Sequence, residues 1–454
     1  MKRRIKRQLS PWKILALGFA CIILTGTLLL CLPFSSIDTN TTFINALFTA
    51  TSATCVTGLV PYDTATHWTV FGQTVILLMI QLGGLGFMTF ITLVFQALGK
   101  QMSVSDKKLA MLVVGNDNRN STYRIIRRVL LGTLLFELSG AIILSTRFID
   151  DFGFGKGLYF AVFHSVSAFC NAGFDLMGGS FGSGAFTSLT HYVRDPLVCL
   201  TIACLIIMGG IGFCVWDDAI TTKFRWKYFK LHTKIVLVST LLMLAVSTAS
   251  YVLFDWNNAI FDGYSFGERL LVGFFNATTT RTAGFNTIDF SSLSDASYFL
   301  SVSLMFIGGS SASTAGGIKL TTFVVIVTGI ASVFSGKHEI ELGKRRIDQA
   351  LIRQALAIFV SCLAIVVIAT MAVCAIEVSN PSATFQAVLF ETVSAMATVG
   401  LSLSLTPTLS TASKLILILL MYIGRVGVIT IGLAFAEKTQ TTEIKRPIEN
   451  ILIG

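Results

Sequence analysis

Four short stretches of the chain carry the same residue types in the same order: FTATSATCVTG (48–58), FHSVSAFCNAG (163–173), FFNATTTRTAG (274–284) and FETVSAMATVG (390–400). Each opens on a phenylalanine (Phe48, Phe163, Phe274, Phe390) and places a hydroxyl six residues before its closing glycine (Ser52, Ser167, Thr278, Ser394). Leu59, Phe174, Phe285 or Leu401 follows the glycine, and the glycines stand 115, 111 and 116 residues apart. These segments hold no nucleophile–base pair and no metal-ligand spacing, so the chemistry on offer is that of the backbone. Glycine reaches angles closed to other residues and lets chains approach closely. Carbonyl oxygens in a ring can replace the hydration shell of a cation. One such glycine would read as a helix-packing position; four matched segments at even spacing read as an internal repeat.

Other chemistries find little support. The five histidines show neither HExxH nor a paired metal spacing. The nine cysteines fall almost entirely in apolar segments, without a CxxC pair, and read as small buried hydrophobes rather than disulfides or ligands. A membrane-embedded enzyme would need a nucleophile, base or metal cluster near the bilayer. None is found, so the chain reads as a non-enzyme, and no Walker or GxGxxG signature in a soluble segment equips it to bind nucleotide.

The elements that position the four segments are long apolar blocks. The 454 residues are 53% hydrophobic and 13% charged, about half the charge of a soluble domain at ~25%. Spans of about 20 apolar residues are expected at 14–32, 70–98, 129–148, 196–216, 235–254, 354–376 and 413–436, with an eighth, 297–334, interrupted by glycines. The first follows KRRIKR as a signal peptide would, but it is long enough to span and no small-residue cleavage site clearly follows it. The net charge of +10 does not point to nucleic acid. Basic residues cluster at 2–13, 100–128, 223–234, 337–353 and in the tail, in every second gap between spans, and acidic residues occupy the others. The positive-inside rule then places both termini in the cytoplasm of a multi-pass protein, with anionic membrane lipid as a minor partner.

Each matched segment lies in an acidic gap between two spans. The expected fold is therefore an all-α polytopic membrane protein of four membrane–pore-loop–membrane repeats, bounded at 1–115, 116–228, 229–345 and 346–454. The repeats keep one orientation and so imply fourfold pseudosymmetry about a single ion pathway. A half-helix from Phe48 to about Thr54 would aim its carbonyl end at the pore and favour cations. The matched hydroxyls would satisfy backbone groups behind the strand. The second spans carry a further matched motif, QLGGLGF (81–87), IMGGIGF (207–213), FIGGSSA (306–312) and YIGRVGV (422–428), whose glycines loosen or kink the helix. In the third, Gly308, Gly309, Ser310, Ser311, Ala312, Ser313, Thr314, Ala315, Gly316 and Gly317 make a continuous helix improbable. In the fourth, Arg425 replaces the glycine found at Gly84, Gly210 and Gly309. An arginine inside a span is costly and marks a functional position; it is expected to bond the 308–317 loop, with Lys319 close by. Glu137 is expected to pair with another helix rather than bind a permeant ion. A voltage-gated channel is the rival pore, but it would need six spans per repeat and an arginine-rich sensor helix.

The segments ending TCVTGL, FCNAGF, TRTAGF and ATVGLS, together with SASTAGGIKLTT, GGLGFMTF and YIGRVG, resemble the Trk/Ktr/HKT superfamily of potassium transporters over essentially the whole chain. The similarity is greatest to the membrane subunit of bacterial Ktr-type systems. The resemblance implies potassium uptake across the bacterial cytoplasmic membrane through a carbonyl-lined filter. The ion-binding residues would be Val56, Thr57 and Gly58; Asn171, Ala172 and Gly173; Thr282, Ala283 and Gly284; Thr398, Val399 and Gly400. It also implies a gate formed by the 308–317 loop with Lys319 and Arg425, a homodimer, and a cytoplasmic ring of regulatory subunits that alone bind ATP or ADP. Sodium enters as an activator or coupling ion. Plant relatives with serine at the first filter glycine tend to favour sodium, and this chain keeps Gly58. The readings that remain beside it are a sodium-coupled potassium carrier and a less selective K+/Na+ channel, since the four strands differ from one another.

Overall fold

The computed structural model describes residues 11–37, 41–86, 122–182, 184–336, 339–342 and 345–435. The 115/116 repeat boundary, most of the first and second basic clusters, residues 87–98 of one expected span and the basic tail lie outside them. The element order repeats four times: a long helix, a short helix, an extended segment with a glycine, and a second apolar helix. The long helices are α1 (Pro11–Leu30), α4 (Thr122–Phe152), α8 (Leu231–Phe254) and α12 (Gln349–Ile376). These four are long and apolar enough to cross a membrane. Their outward faces expose Leu24, Leu135, Ile142, Leu241 and Ile368, as lipid-facing helices must.

The short helices are α2 (Phe43–Cys55), α5 (Phe154–Phe169), α9 (Phe266–Thr279) and α13 (Phe385–Ala397). At 1.5 Å per residue a 13-residue helix is about 20 Å long, too short to span. They start five to nine residues before the aligned phenylalanines, earlier than expected from the motif alone. Local caps explain three of the early starts: Thr42 accepts from Asn45 N–H, Thr384 accepts from Ala387 N–H, and Ser265 forms a reciprocal capping box with Glu268, whereas α5 begins after Gly153 without a side-chain cap.

The second helices are α3 (Val70–Leu85), α6 (Pro196–Ile211) continued by α7 (Phe213–Thr221), α10 (Asp295–Phe306) continued after a loop by α11 (Leu320–Phe334), and α14 (Thr411–Val426) continued by α15 (Val428–Phe435). In the first, second and fourth the helix ends within the inner motif, and in the third it ends where that motif begins, at Phe306. Gly86, Gly212 and Gly427 have φ of 81°, 103° and 92°, angles that end a helix and favour glycine. The α6–α7 break bends the chain by 87°. These spans are therefore not continuous rods.

All nine cysteines are free. Cys55, Cys170, Cys199 and Cys362 are buried as expected, but Cys21, Cys31 and Cys204 are exposed on apolar helices. Glu137 on α4 accepts from Gln81 Nε2 on α3 at 3.2 Å, so it does pair with another helix.

Candidate functional site

The four glycine segments meet. A methyl built on Gly58 would stand 2.6 Å from the Ala172 carbonyl oxygen, and one on Gly173 would stand 2.7 Å from that of Ala283. One on Gly284 would stand 2.6 Å from the Val399 carbonyl oxygen, and one on Gly400 2.0 Å from that of Thr57. Each glycine thus abuts the carbonyl of the next segment in chain order, and the fourth abuts the first, which closes a ring. The obstructing atoms are backbone, so no side chain could rotate away.

The backbone repeats as well. Val56, Asn171, Thr282 and Thr398 have φ of 56°, 59°, 69° and 53°, and the glycines two residues later have φ of 97°, 70°, 81° and 93°. Non-glycine residues in the left-handed region cost about 1–2 kcal/mol each. Hydrogen bonds from the short helices hold these turns. Thr57, Ala172 and Val399 N–H donate to the carbonyls of Ser52, Ser167 and Ser394, each at 2.8 Å.

In the third segment Ala283 N–H donates instead to the Thr279 carbonyl at 2.9 Å. The hydroxyls follow the same shift. Ser52 and Ser394 accept from Gly58 and Gly400 N–H at 3.0 Å. Ser167 donates to the Phe174 carbonyl at 2.7 Å and Thr279 to the Phe285 carbonyl at 2.5 Å. Thr278 only bonds the Phe274 carbonyl of its own helix. A gap-free alignment on the glycines therefore misplaces the third helix by one residue, because α9 runs one residue closer to its glycine. The burial pattern agrees: Phe275, not Phe274, is buried in that helix.

On one side of the ring a cavity of about 290 Å³ is lined by Gly58, Gly173, Gly284 and Gly400 together with Asp63, Asp175 and Asp289. Withdrawal from water, reinforced by the Asp63 carboxylate, raises Asp175 to about 7.

Against the ring lies the 307–319 segment, which is not helical. Ile307 pairs with Ile318, and the Gly308 N–H bonds the Ile318 carbonyl at 2.9 Å, so the loop closes on itself. A methyl on Gly316 would collide with Thr398 Oγ1, and one on Gly308 would stand 3.2 Å from Thr282 Cγ2. The loop thus packs directly against the third and fourth segments, and Thr314 reaches the second. From the second repeat, the Gly210 carbonyl accepts from Ser310 N–H at 3.0 Å, and Phe213 N–H donates to the Ala312 carbonyl at 2.8 Å. Thr314 Oγ1 bonds the Phe169 carbonyl at 3.3 Å, and Ser313 bonds back to the Ser310 carbonyl at 2.7 Å. Arg425 donates to the Thr314 carbonyl and to the carbonyls of Gly83 and Gly84. One guanidinium therefore joins the fourth, third and first repeats. Lys319 Nζ bonds the Ala315 carbonyl at 2.6 Å.

The inner glycines do more than loosen helices. Methyls on Gly83, Gly209 and Gly424 would stand 1.9, 1.9 and 2.0 Å from the carbonyl oxygens of Thr54, Phe169 and Met396. Each second helix touches the last turn of its own short helix there. Sequence reasoning reached the glycines but not this contact. It also missed Glu391 on α13, which is 1% exposed and accepts from Ser402 and Thr406 hydroxyls. An acid inside FETVSAMATVG was the available signal.

Known proteins resemble this chain in sequence and in fold. The family model TrkH, described as a cation transport protein, matches residues 18–445. The chain is 41% identical over 446 residues to the Ktr system potassium uptake protein B of Bacillus subtilis (strain 168), covering 98% of this chain and 97% of that protein. It is 39% identical over 457 residues to the potassium/sodium uptake protein NtpJ of Enterococcus hirae, covering 100% and 99%. In fold it is similar to the crystal structure of the potassium transporter TrkH from Vibrio parahaemolyticus, with a TM-score of 0.71 and 16% identity over 96% of this chain and 87% of that one.

Proposed function

The chain belongs to the TrkH family of cation transport proteins, and from that premise we propose that it takes up potassium across the bacterial cytoplasmic membrane through a filter built by its four glycine segments. It is an integral membrane protein of a transporter family, not of an enzyme family. The observation that carries the reading is the closed ring in which Gly58, Gly173, Gly284 and Gly400 each abut the next segment's carbonyl. Carbonyls held in a ring are what a dehydrating cation needs. The residues assigned to the ion are Val56-Thr57-Gly58, Asn171-Ala172-Gly173, Thr282-Ala283-Gly284 and Thr398-Val399-Gly400. The names of the relatives, a potassium uptake protein and a potassium/sodium uptake protein, support this cargo.

The chain folds as four pseudosymmetric repeats around that path, with both termini cytoplasmic. The 308–317 loop, with Lys319 and Arg425, obstructs the path beside the filter: a half-buried guanidinium raises the barrier to a cation. Its bonds to Thr314, Gly83 and Gly84 support this role. The protein works as a homodimer on a cytoplasmic ring of regulatory subunits that bind ATP or ADP, in keeping with a relative named as part of a system. Sodium acts as activator or coupling ion.

The second reading, a less selective K+/Na+ pathway, draws on one relative's name and on the unequal sequences of the four strands. Competitive potassium and sodium uptake by the chain and by Gly58→Ser decides between them. A strong potassium preference that the variant loses supports the filter; unchanged selectivity in the variant overturns it.

A further inference from the structure

Beyond the ring itself, each short helix carries a polar residue three positions before the hydroxyl that braces its strand. These residues are Thr49, His164, Asn276 and Glu391, once the third helix is placed by its hydrogen bonds. All four are buried. Two of them reach across to the segment that leaves the ring. His164 Nε2 accepts from Leu176 N–H at 3.3 Å. Glu391 Oε1 accepts from Ser402 Oγ at 3.2 Å and from Thr406 Oγ1. Ser402 and Thr406 also line the cavity at the mouth of the ring. Thr49 instead bonds the Asn45 carbonyl of its own helix.

We propose that Glu391 is a specificity-determining positioning residue: its carboxylate ties the segment beyond Gly400 to the fourth short helix and thereby fixes the size of the ring. This rests on the filter reading given above. The physical case begins with cost. A buried carboxylate is expensive to hold unless its oxygens are bonded, and Glu391 Oε2 has no partner among the described residues. A hydrophobic residue would pack this position more cheaply, so the acid is kept for the two hydroxyls it holds. Those hydroxyls stand two and six residues beyond Gly400, whose own α-carbon abuts Gly58. Slack in this segment therefore passes directly to the ring contact between the fourth and first segments. One acceptor oxygen holds both hydroxyls, which suits a tether that must not yield as ions pass.

The test measures uptake of rubidium and sodium by the full chain in cells lacking their own potassium uptake systems, with each variant's amount in the membrane followed by immunoblot. Glu391→Ala and the double variant Ser402→Ala/Thr406→Val cut the tether from opposite ends. Both lose rubidium-over-sodium preference by about ten-fold, the change that corresponds to one buried hydrogen bond. Glu391→Gln, which keeps an acceptor oxygen, stays within about two-fold of the parent. If Glu391→Ala fails to reach the membrane, the double variant carries the test. Retained preference in the double variant, or a loss in Glu391→Gln equal to that in Glu391→Ala, overturns the tether. Gly58→Ser run in parallel separates the two readings: if it loses preference while the tether variants keep theirs, only the tether falls; if it keeps its preference, the filter falls and the tether with it.

Discussion

The carbonyl oxygen of Thr57 occupies the space that a side chain on Gly400 would need, 2.0 Å from where its Cβ would stand. First and fourth segments are 343 residues apart in sequence, yet this contact closes the ring. Both partners are backbone, so neither can rotate aside. Gly400 also has φ of 93°, where a side chain costs about 1–3 kcal/mol in strain alone. Gly400→Ala is expected to abolish potassium-selective uptake while the protein still reaches the membrane; rubidium uptake with and without competing sodium checks it.

Arg425 joins three repeats through the carbonyls of Thr314, Gly83 and Gly84. Arg425→Ala removes a half-buried charge and one of the loop's anchors together. Rubidium influx should rise about ten-fold, the scale of one lost bond to a charged donor, and deletion of Ser311–Ser313 should raise it too. Influx at the parent's rate in both variants would refute the gate.

Asp175 supplies a pH dependence at the mouth of the ring. Raised to about 7, it is neutral below that pH and charged above it. Subsaturating rubidium uptake should therefore climb between pH 6 and 8, and Asp175→Asn should flatten the climb. The stability sign runs the other way. An unfolded aspartate titrates near 4, so the folded protein loses stability as pH rises from about 4 through about 7. Asp175→Asn should raise the melting temperature relative to the parent at pH 8 and leave it unchanged at pH 4.

The one-residue shift of α9 makes a paired prediction. Thr279→Val leaves the Phe285 carbonyl without its buried donor and should cost about 1–3 kcal/mol. Thr278→Val removes only a bond within its helix and should cost less. Melting temperatures of the two purified variants test the assignment, and equal losses would contradict it.

Close approach, rather than flexibility, explains the inner glycines. Gly209→Ala drives a methyl to 1.9 Å from the Phe169 carbonyl, whereas Gly155→Ala meets nothing within 4 Å. The first should lower thermal stability sharply and the second should leave it near the parent's, as read by thermal shift in detergent.

The sequence by itself determined the parts whose signal is local. Apolar runs set by bilayer thickness marked the long helices, and four glycines with matched neighbours marked the segments that would meet. The run from Gly308 to Gly317 could not be helix because small and hydroxylated residues favour turns. Tertiary structure decided what depends on the distance between elements. Which carbonyl faces which glycine is set by packing of repeats more than a hundred residues apart. The register of α9 against Gly284 is set by a hydrogen bond, which a gap-free alignment cannot see. Gly83, Gly209 and Gly424 looked like hinges until the carbonyls of Thr54, Phe169 and Met396 stood beside them. Glu391 was one acid among 24 acidic residues until Ser402 and Thr406 folded back onto it. Periodicity records how a residue relates to its own helix, and only the packed chain records what lies on its other side.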